Sequence, residues 1–393
     1  MSIYALVNRI SLFYSPPKIY FGIGSLMKIR NEVKRLGMNK VLIVTDRNIV
    51  KLGIVERISS LIKDLVSITL YDSVKAEPTI EDFNKVANFV RNDNFDGIIG
   101  IGGGSSLDTA KIASIAVTNP GDISQYIGRD KVRKKGVPLI LVPTTAGTGS
   151  EVTRVAVARE KLVKHGVTSD YLLPDVAIVD PELTITLPPK LTAITGLDAL
   201  SHALEGLTST LSTPLTDSIA MCAVALILKY LRKAYRDGKD LEARAHMSLA
   251  ATMAGLVISN TGVTLGHFIG ETIGPIYNIP HGLAVGITIP YVLEFYLDII
   301  TDKFTLLEPL IRERKSREEL KDLIKELVKL YTDLNIPLSF KELNIPRKDI
   351  PKLAEITMKH KVRMTTPIKL SNEVLLEIYE RIWNGAIYKY IKD

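Results

Sequence analysis

Four short runs of apolar and β-branched residues, KVLIVTD, LVSITLYD, FDGIIGIG and VPLILVPTT, alternate with helical patterns between residues 40 and 145. That rhythm admits few folds. Parallel strands need crossovers of a dozen or more residues, and strands covered on both faces read as continuous apolar runs. Between the second and third runs, Phe83, Val86, Ala87 and Val90 recur at helical spacing, with Thr79 and Asp82 placed to cap the helix start. After about residue 190 the strand rhythm stops and long helical patterns take over, including one that begins at Pro214, suited to a first helical turn. The break falls at LPPKLTAITG. The expected fold class is an N-terminal α/β domain with a parallel, Rossmann-like sheet over residues 1–189, followed by an all-α domain over 190–393.

Two domains also fit the length, since 393 residues exceed what one core usually organises. Hydrophobic residues make up 46% and charged residues 24%, which excludes a disordered or low-complexity chain. No repeat period points to a solenoid. The single cysteine, Cys222, sits in IAMCAVALIL and is expected to be a buried, inert thiol. With no disulfide possible and no signal-like N-terminus, a cytoplasmic protein is expected. The longest apolar run, Ile219 to Leu228, is about half of the ~20 residues a bilayer requires, so no membrane partner is expected. The net charge of +7 is spread among acidic residues without an aromatic-basic stripe, which argues against nucleic acid and leaves attraction of anionic small molecules. Ser316 and Glu319 have capping-box spacing in one such mixed-charge segment.

FDGIIGIGGGSSLDTAKIAS reads as a buried strand, a glycine turn and a helix starting near Ser105 or Ser106. Unpaired N–H groups and the helix dipole at such a terminus attract an anion, and Gly102, Gly103 and Gly104 let the backbone approach a pyrophosphate. Ser105 stands where the Rossmann fingerprint has its third glycine, so a plain tight turn is the competing reading. A second loop, VPTTAGTGSEVT, offers the Thr144, Thr145 and Thr148 hydroxyls after another strand. Asp46 ends the first strand, where open α/β sheets bind ligands. Its carboxylate suits ribose hydroxyls and would repel a 2′-phosphate, so NAD is expected over NADP; a helix-capping role is the alternative.

In TGLDALSHALEG, Asp198 and His202 are four apart and share one helix face. Farther on, His267 and His281 are separated by Gly274, Pro275 and Pro280, which prevent a continuous helix and allow the chain to turn back. Three of the six histidines fall in these two segments. Three imidazoles and one carboxylate suit Fe²⁺ or Zn²⁺ better than Mg²⁺ or Ca²⁺, and spacing alone does not choose between them.

GGGSSLDTAK, PTTAGTGSEVT, IVDPELTITLPP, TGLDALSHALE and IPHG together resemble the hallmark segments of the iron-containing (group III) alcohol dehydrogenase family, in order over nearly the whole chain. The resemblance implies a dinucleotide-binding N-terminal domain, a helical metal-binding domain and a cleft between them. It implies metal ligation by Asp198, His202, His267 and His281, with Fe²⁺ first and Zn²⁺ as alternative. It also implies cofactor contacts from Asp46, Gly102 to Ser105, Asp108, Thr144, Thr145, Thr148 and Lys164, where Asp108 has a loop-orienting alternative and Lys164 a surface one. Two positions depart from the family: Glu271, where many members carry a second histidine, and Glu77, in AEPT where PNPT is usual. Glu271 and His281 are the candidates to pass a proton to solvent, and the alternative for Glu271 is to orient His267 from one turn away. The reaction so implied is hydride transfer between NAD(H) and a primary or secondary alcohol or its aldehyde or ketone. The alternatives are a dehydroquinate synthase-like lyase or glycerol-1-phosphate dehydrogenase, which would need basic residues converging on the cleft, and a non-catalytic nucleotide-binding regulator. A homo-oligomer is compatible with the sequence but not set by it.

Overall fold

The computed structural model describes residues 10–160, 163–297, 317–360 and 365–387. Ser316 lies outside them, so the Ser316–Glu319 cap is not described.

Six parallel strands form the main sheet. In chain order they are β1 (Ile19–Phe21), β2 (Lys40–Val44), β3 (Ser67–Tyr71), β4 (Gly97–Gly102), β6 (Leu139–Pro143) and β9 (Val176–Val179), arranged β1-β9-β6-β4-β2-β3 across the sheet. Alternate side chains feed opposite faces. Leu42, Val44, Ile98 and Leu141 pack with Phe83 and Val86 of α4 (Ile80–Arg91) and Leu107 and Ala110 of α5 (Gly104–Thr118). Val41, Ile43, Ile99, Ile101 and Val142 pack against Ile29 and Val33 of α1 (Ile29–Arg35) and Ile58 and Ile62 of α3 (Ile54–Ile62). A sheet covered on both faces explains why the strands are almost wholly apolar. Thr79 and Asp82 form a reciprocal capping box on α4.

The chain runs outward from β2 to β3 and then returns to place β4 on the other side of β2. This reversal opens a crevice at the carboxyl ends of β2 and β4, where doubly wound sheets bind ligands. Short α2 (Arg47–Lys51) starts there directly after β2.

The structure adds strands that the four-run reading omits. Edge strand β1 and the four-residue β9 are too short to give a period-2 signal. β7 (Val155–Glu160) and β8 (Val163–Thr168) form an antiparallel hairpin, and β5 (Gly128–Arg129) extends it to a second, three-stranded sheet.

From Pro189 onward the described elements are helical, beginning with α6 (Pro189–Thr208), α7 (Pro214–Arg236) and α8 (Leu241–Thr261). Next come α9 (Leu265–Tyr277), α10 (His281–Gly286), α11 (Ile289–Phe295), α12 (Arg317–Asp333), α13 (Ile350–Lys359) and α14 (Asn372–Asn384). They enclose one apolar core that includes Leu200, Leu204, Ile227, Ile269, Tyr331 and Tyr379. By length and composition α7 could cross a membrane, with mean hydropathy 1.5 in its most apolar window. Its apolar face, including Val224, Ile227 and Leu231, packs in the helical core. Cys222 corrects the expectation of burial: it is exposed, on a stripe with Ser218, Ala225, Lys229 and Lys233 at helical spacing.

The two halves meet where the loop after β6 touches α8. Gly149 has φ +61°, and a Cβ there would lie 2.5 Å from Gly255 Cα and 2.6 Å from the Ala251 carbonyl oxygen. Beside it, the buried Glu151 carboxylate accepts from Thr252 Oγ1 at 2.7 Å. A Gly149→Ala substitution is therefore expected to cost about 2–3 kcal/mol through overpacking against backbone and positive-φ strain, read as a lower denaturation midpoint.

Candidate active site and metal centre

The crevice is built by two interlocking loops. Helix α5 starts at Gly104 behind Gly103, which supplies no side-chain cap, so its terminal N–H groups are available to an anion. Gly103 lies against Thr145 and Gly104 against Thr148, while Thr144 N donates to Gly102 O at 3.0 Å. Thr148 Oγ1 accepts from Ser150 N, and Ser105 Oγ accepts from Glu77 N. Asp46 is the N-cap of α2: its Oδ1 accepts from Asn48 N and Ile49 N. Its Oδ2 lies 3.7 Å from where a Gly102 Cβ would sit. Capping thus occupies one oxygen of Asp46 and leaves the other beside the glycine loop. A cavity of about 970 Å³ is lined by Asp46, Gly103, Gly104, Ser105, Thr144 and Thr145.

A second cavity, about 540 Å³, shares Gly104 and Ser105 with the first and extends to Asp198, His202, His267, Glu271 and His281. Lys164, on β8, lines it with its ammonium 3.8 Å from Glu77 Oε1, and only 12% of its side chain is exposed. Asp108 also lines this cavity but is committed to loop bonds, accepting from Ser150 Oγ at 2.5 Å and Val157 N at 2.9 Å. The fully buried Lys111 secures the same corner by donating to Ser150 Oγ, Thr153 Oγ1 and Val155 O.

Candidate ligands from two distant segments come together: Asp198, His267 and His281 form one cluster, and His202 lies beside it. On α6, Asp198 and His202 approach with Oδ1 to Nε2 at 3.8 Å. His281 Nε2 lies 3.7 Å from the same Asp198 oxygen. The His202 and His267 rings stack with centroids 4.7 Å apart, and those of His267 and His281 meet edge-on at 5.6 Å. One donor atom each of Asp198, His267 and His281 lies within 4.8 Å of the others. The chain turns back at Asn278–Pro280; α9 runs through Pro275, which the sequence had suggested as part of the break. Gly282 then lets α10 pack on α6, because a Cβ there would sit 2.4 Å from Ile194 O and 3.1 Å from Asp198 Cβ.

The donor set fits a divalent ion. Asp198 Oδ1 and His267 Nε2 are buried and have no hydrogen-bond partner among the described residues, an arrangement that is costly unless something binds there. Burial lowers His202 to about 4, keeping its imidazole neutral and its lone pair free. His281 keeps 26% of its side chain accessible; desolvation in the cavity and the Lys164 ammonium hold it well below the ordinary histidine value. Burial also opposes a charge on His267, but Glu205 outweighs it and raises its pKa.

Glu205 is the main residue of the candidate site that sequence reasoning missed. Its Oε2 accepts from His267 Nδ1 at 2.6 Å and from Thr264 N at 2.8 Å, while Oε1 accepts from His267 N at 2.8 Å. The ring is thereby fixed with Nε2 toward Asp198 and His281, the usual second-layer support of a metal-bound imidazole. Glu205 follows Asp198 by seven residues, two helical turns, a spacing that could have flagged it. Orienting His267 was one reading of Glu271, yet Glu271 makes no hydrogen bond among the described residues and instead lines the cavity.

An imidazole-rich centre with an accessible side, joined by one groove to an anion-ready helix terminus at a sheet switch point, belongs to a metal- and dinucleotide-dependent oxidoreductase. Residues 16–181 match the family model described as iron-containing alcohol dehydrogenase, and residues 192–383 match that of the family's C-terminal region. The long-chain-alcohol dehydrogenase 1 of Geobacillus thermodenitrificans is 37% identical over 95% of this chain and 96% of its own. The NAD-dependent methanol dehydrogenase of Bacillus methanolicus is 34% identical over 87% of this chain and 92% of its own. The solved alcohol dehydrogenase from Oenococcus oeni superposes with TM-score 0.89 at 34% identity, covering 95% of this chain and 100% of its own. The chain belongs to the iron-containing alcohol dehydrogenase family. Its activity is NAD-linked oxidoreduction of an alcohol, which displaces the lyase and regulator alternatives.

In Glu205→Gln, one amide N–H must face a backbone or ring N–H donor. Metal affinity is expected to fall about 10- to 100-fold, measured by chelator competition, with most of the fold retained by circular dichroism.

Proposed function

We propose that Asp198, His202, His267 and His281 hold one Fe²⁺, with Zn²⁺ as the alternative, and that NAD lies along the two joined cavities. In this reading Asp46 accepts from the adenosine ribose, and the Gly102–Ser105 turn with Thr144 and Thr145 receives the pyrophosphate. Thr148 and Lys164 face the nicotinamide half. Asp108 acts indirectly, by holding the loop that carries Ser150. Residues 1–189 would then serve as the cofactor-binding domain and 190–393 as the metal-binding one, in a cytoplasmic enzyme. The observation that carries the reading is the convergence of buried, unpartnered donor atoms from α6 and α9 on a cavity that also reaches the glycine loop.

When bound, the ion acidifies the substrate hydroxyl in one direction and polarises the carbonyl in the other. The chain supplies the rest. Neutral His202 and His281 present lone pairs, and Glu205 prevents the His267 ring from turning. Ile258, Val263 and Phe268 give the cavity an apolar wall that admits a carbon chain and limits water. Glu271, on the same wall, is positioned to take the released proton toward solvent. A primary or secondary alcohol, or its aldehyde or ketone, is the substrate class this cavity suits.

Chelation is expected to abolish NADH formation from a primary alcohol, and Fe²⁺ or Zn²⁺ to restore it. Failure of either ion to restore turnover to folded, NAD-binding protein would refute the metal assignment. Replacing Asp46 by glycine is expected to raise the NADP-to-NAD ratio of kcat/KM about tenfold or more by removing like-charge repulsion at the 2′ position.

A further inference from the structure

The carboxylates that line the metal-bearing cavity differ in their surroundings. Glu77 faces Lys164 at 3.8 Å. Asp108 is bonded to Ser150 and Val157, with the Lys111 ammonium 3.3 Å away. Asp198 lies among the histidines. Glu271 alone among these four has neither a salt bridge nor a hydrogen bond among the described residues, and it is half-buried in the cavity wall. It follows His267 by one turn of α9, so its Cβ stands about 5–6 Å from that of the metal-ligand candidate. Phe268 shares the same wall and brings an aromatic ring, a surface that attracts cations.

We infer that Glu271 selects alcohols by charge, favouring substrates that carry an ammonium group a few carbons from the reacting hydroxyl and disfavouring those with an anionic group there. The inference rests on the proposed metal site, because the hydroxyl must be anchored near His267 for the far end of a short substrate to reach Glu271. A partly buried carboxylate at this range is worth about a tenfold or greater preference. A proton-relay role alone would not discriminate: it would slow every alcohol alike.

Three primary alcohols of matched length separate these roles: 1-propanol, 3-amino-1-propanol and 3-hydroxypropanoate, assayed with iron-loaded enzyme and NAD. Normalised to 1-propanol, kcat/KM is expected to favour the amine over the carboxylate by about tenfold or more. Glu271→Gln should erase most of that ratio, whatever it does to the absolute rate, and Glu271→Lys should reverse it. In parallel, propylammonium and propanoate are titrated into the enzyme–NADH complex and followed by NADH fluorescence, which needs no turnover. Ratios unchanged within about twofold in both variants, or an equal loss on all three alcohols accompanied by loss of iron, would overturn the inference. If wild-type enzyme turns over none of the alcohols, the metal-site reading fails, and the fluorescence titration still decides whether Glu271 discriminates by charge.

Discussion

The carboxylate of Glu205 ties the two sources of the site together. It sits on α6 beside the turn that carries Asp198 and His202, and it accepts three N–H groups from the start of α9, where His267 stands. A buried carboxylate is costly by itself, and charge-assisted bonds of this kind contribute about 1.5–3 kcal/mol each. The cost is offset only when α9 begins at the position that satisfies all three donors. The geometry of the candidate metal centre is thus enforced by a hydrogen-bond requirement of the helix pair.

The same economy governs the other half of the groove. Lys111 is completely buried, and its ammonium is satisfied by two hydroxyls and a carbonyl, with Asp108 beside it. These bonds hold Ser150 and Thr153 on the far side of the loop whose Thr145 and Thr148 press on Gly103 and Gly104. Glycine loop, hairpin and helical half therefore share one rigid corner. Glu151 extends it to α8 through Thr252. A mechanism that needs nicotinamide carbon and substrate carbon in near-attack contact depends on such a corner, because misplacement by about 1 Å can cost a hundredfold in rate.

Much of the fold was legible because it rests on strong periodic signals. The runs at β2, β3, β4 and β6 are long enough and apolar enough to read as buried strands, and the Thr79–Asp82 and Pro214 positions are stereochemical start signals. The hairpin β7–β8 was not legible, since half of its side chains face a cavity and its composition is mixed. Cys222 misled for a related reason: an apolar run in a helix does not say which face turns outward until the helix finds its neighbours. At the site, residue type and order pointed to Asp198, His202, His267 and His281, whereas Glu205 and Lys111 passed as ordinary charged residues of a helix.

By itself, the sequence determined the local elements and the chemical inventory: where strands, glycine turns and helix starts must fall, and which side chains could bind an ion or a phosphate. Those properties depend on neighbours in the chain. Only the tertiary structure decided that β4 lies beside β2, that α10 packs on α6 through Gly282, and that Glu205 rather than Glu271 orients His267. Such facts depend on packing between segments far apart in the chain, where steric fit and the satisfaction of buried polar groups select one arrangement from many that local preferences allow.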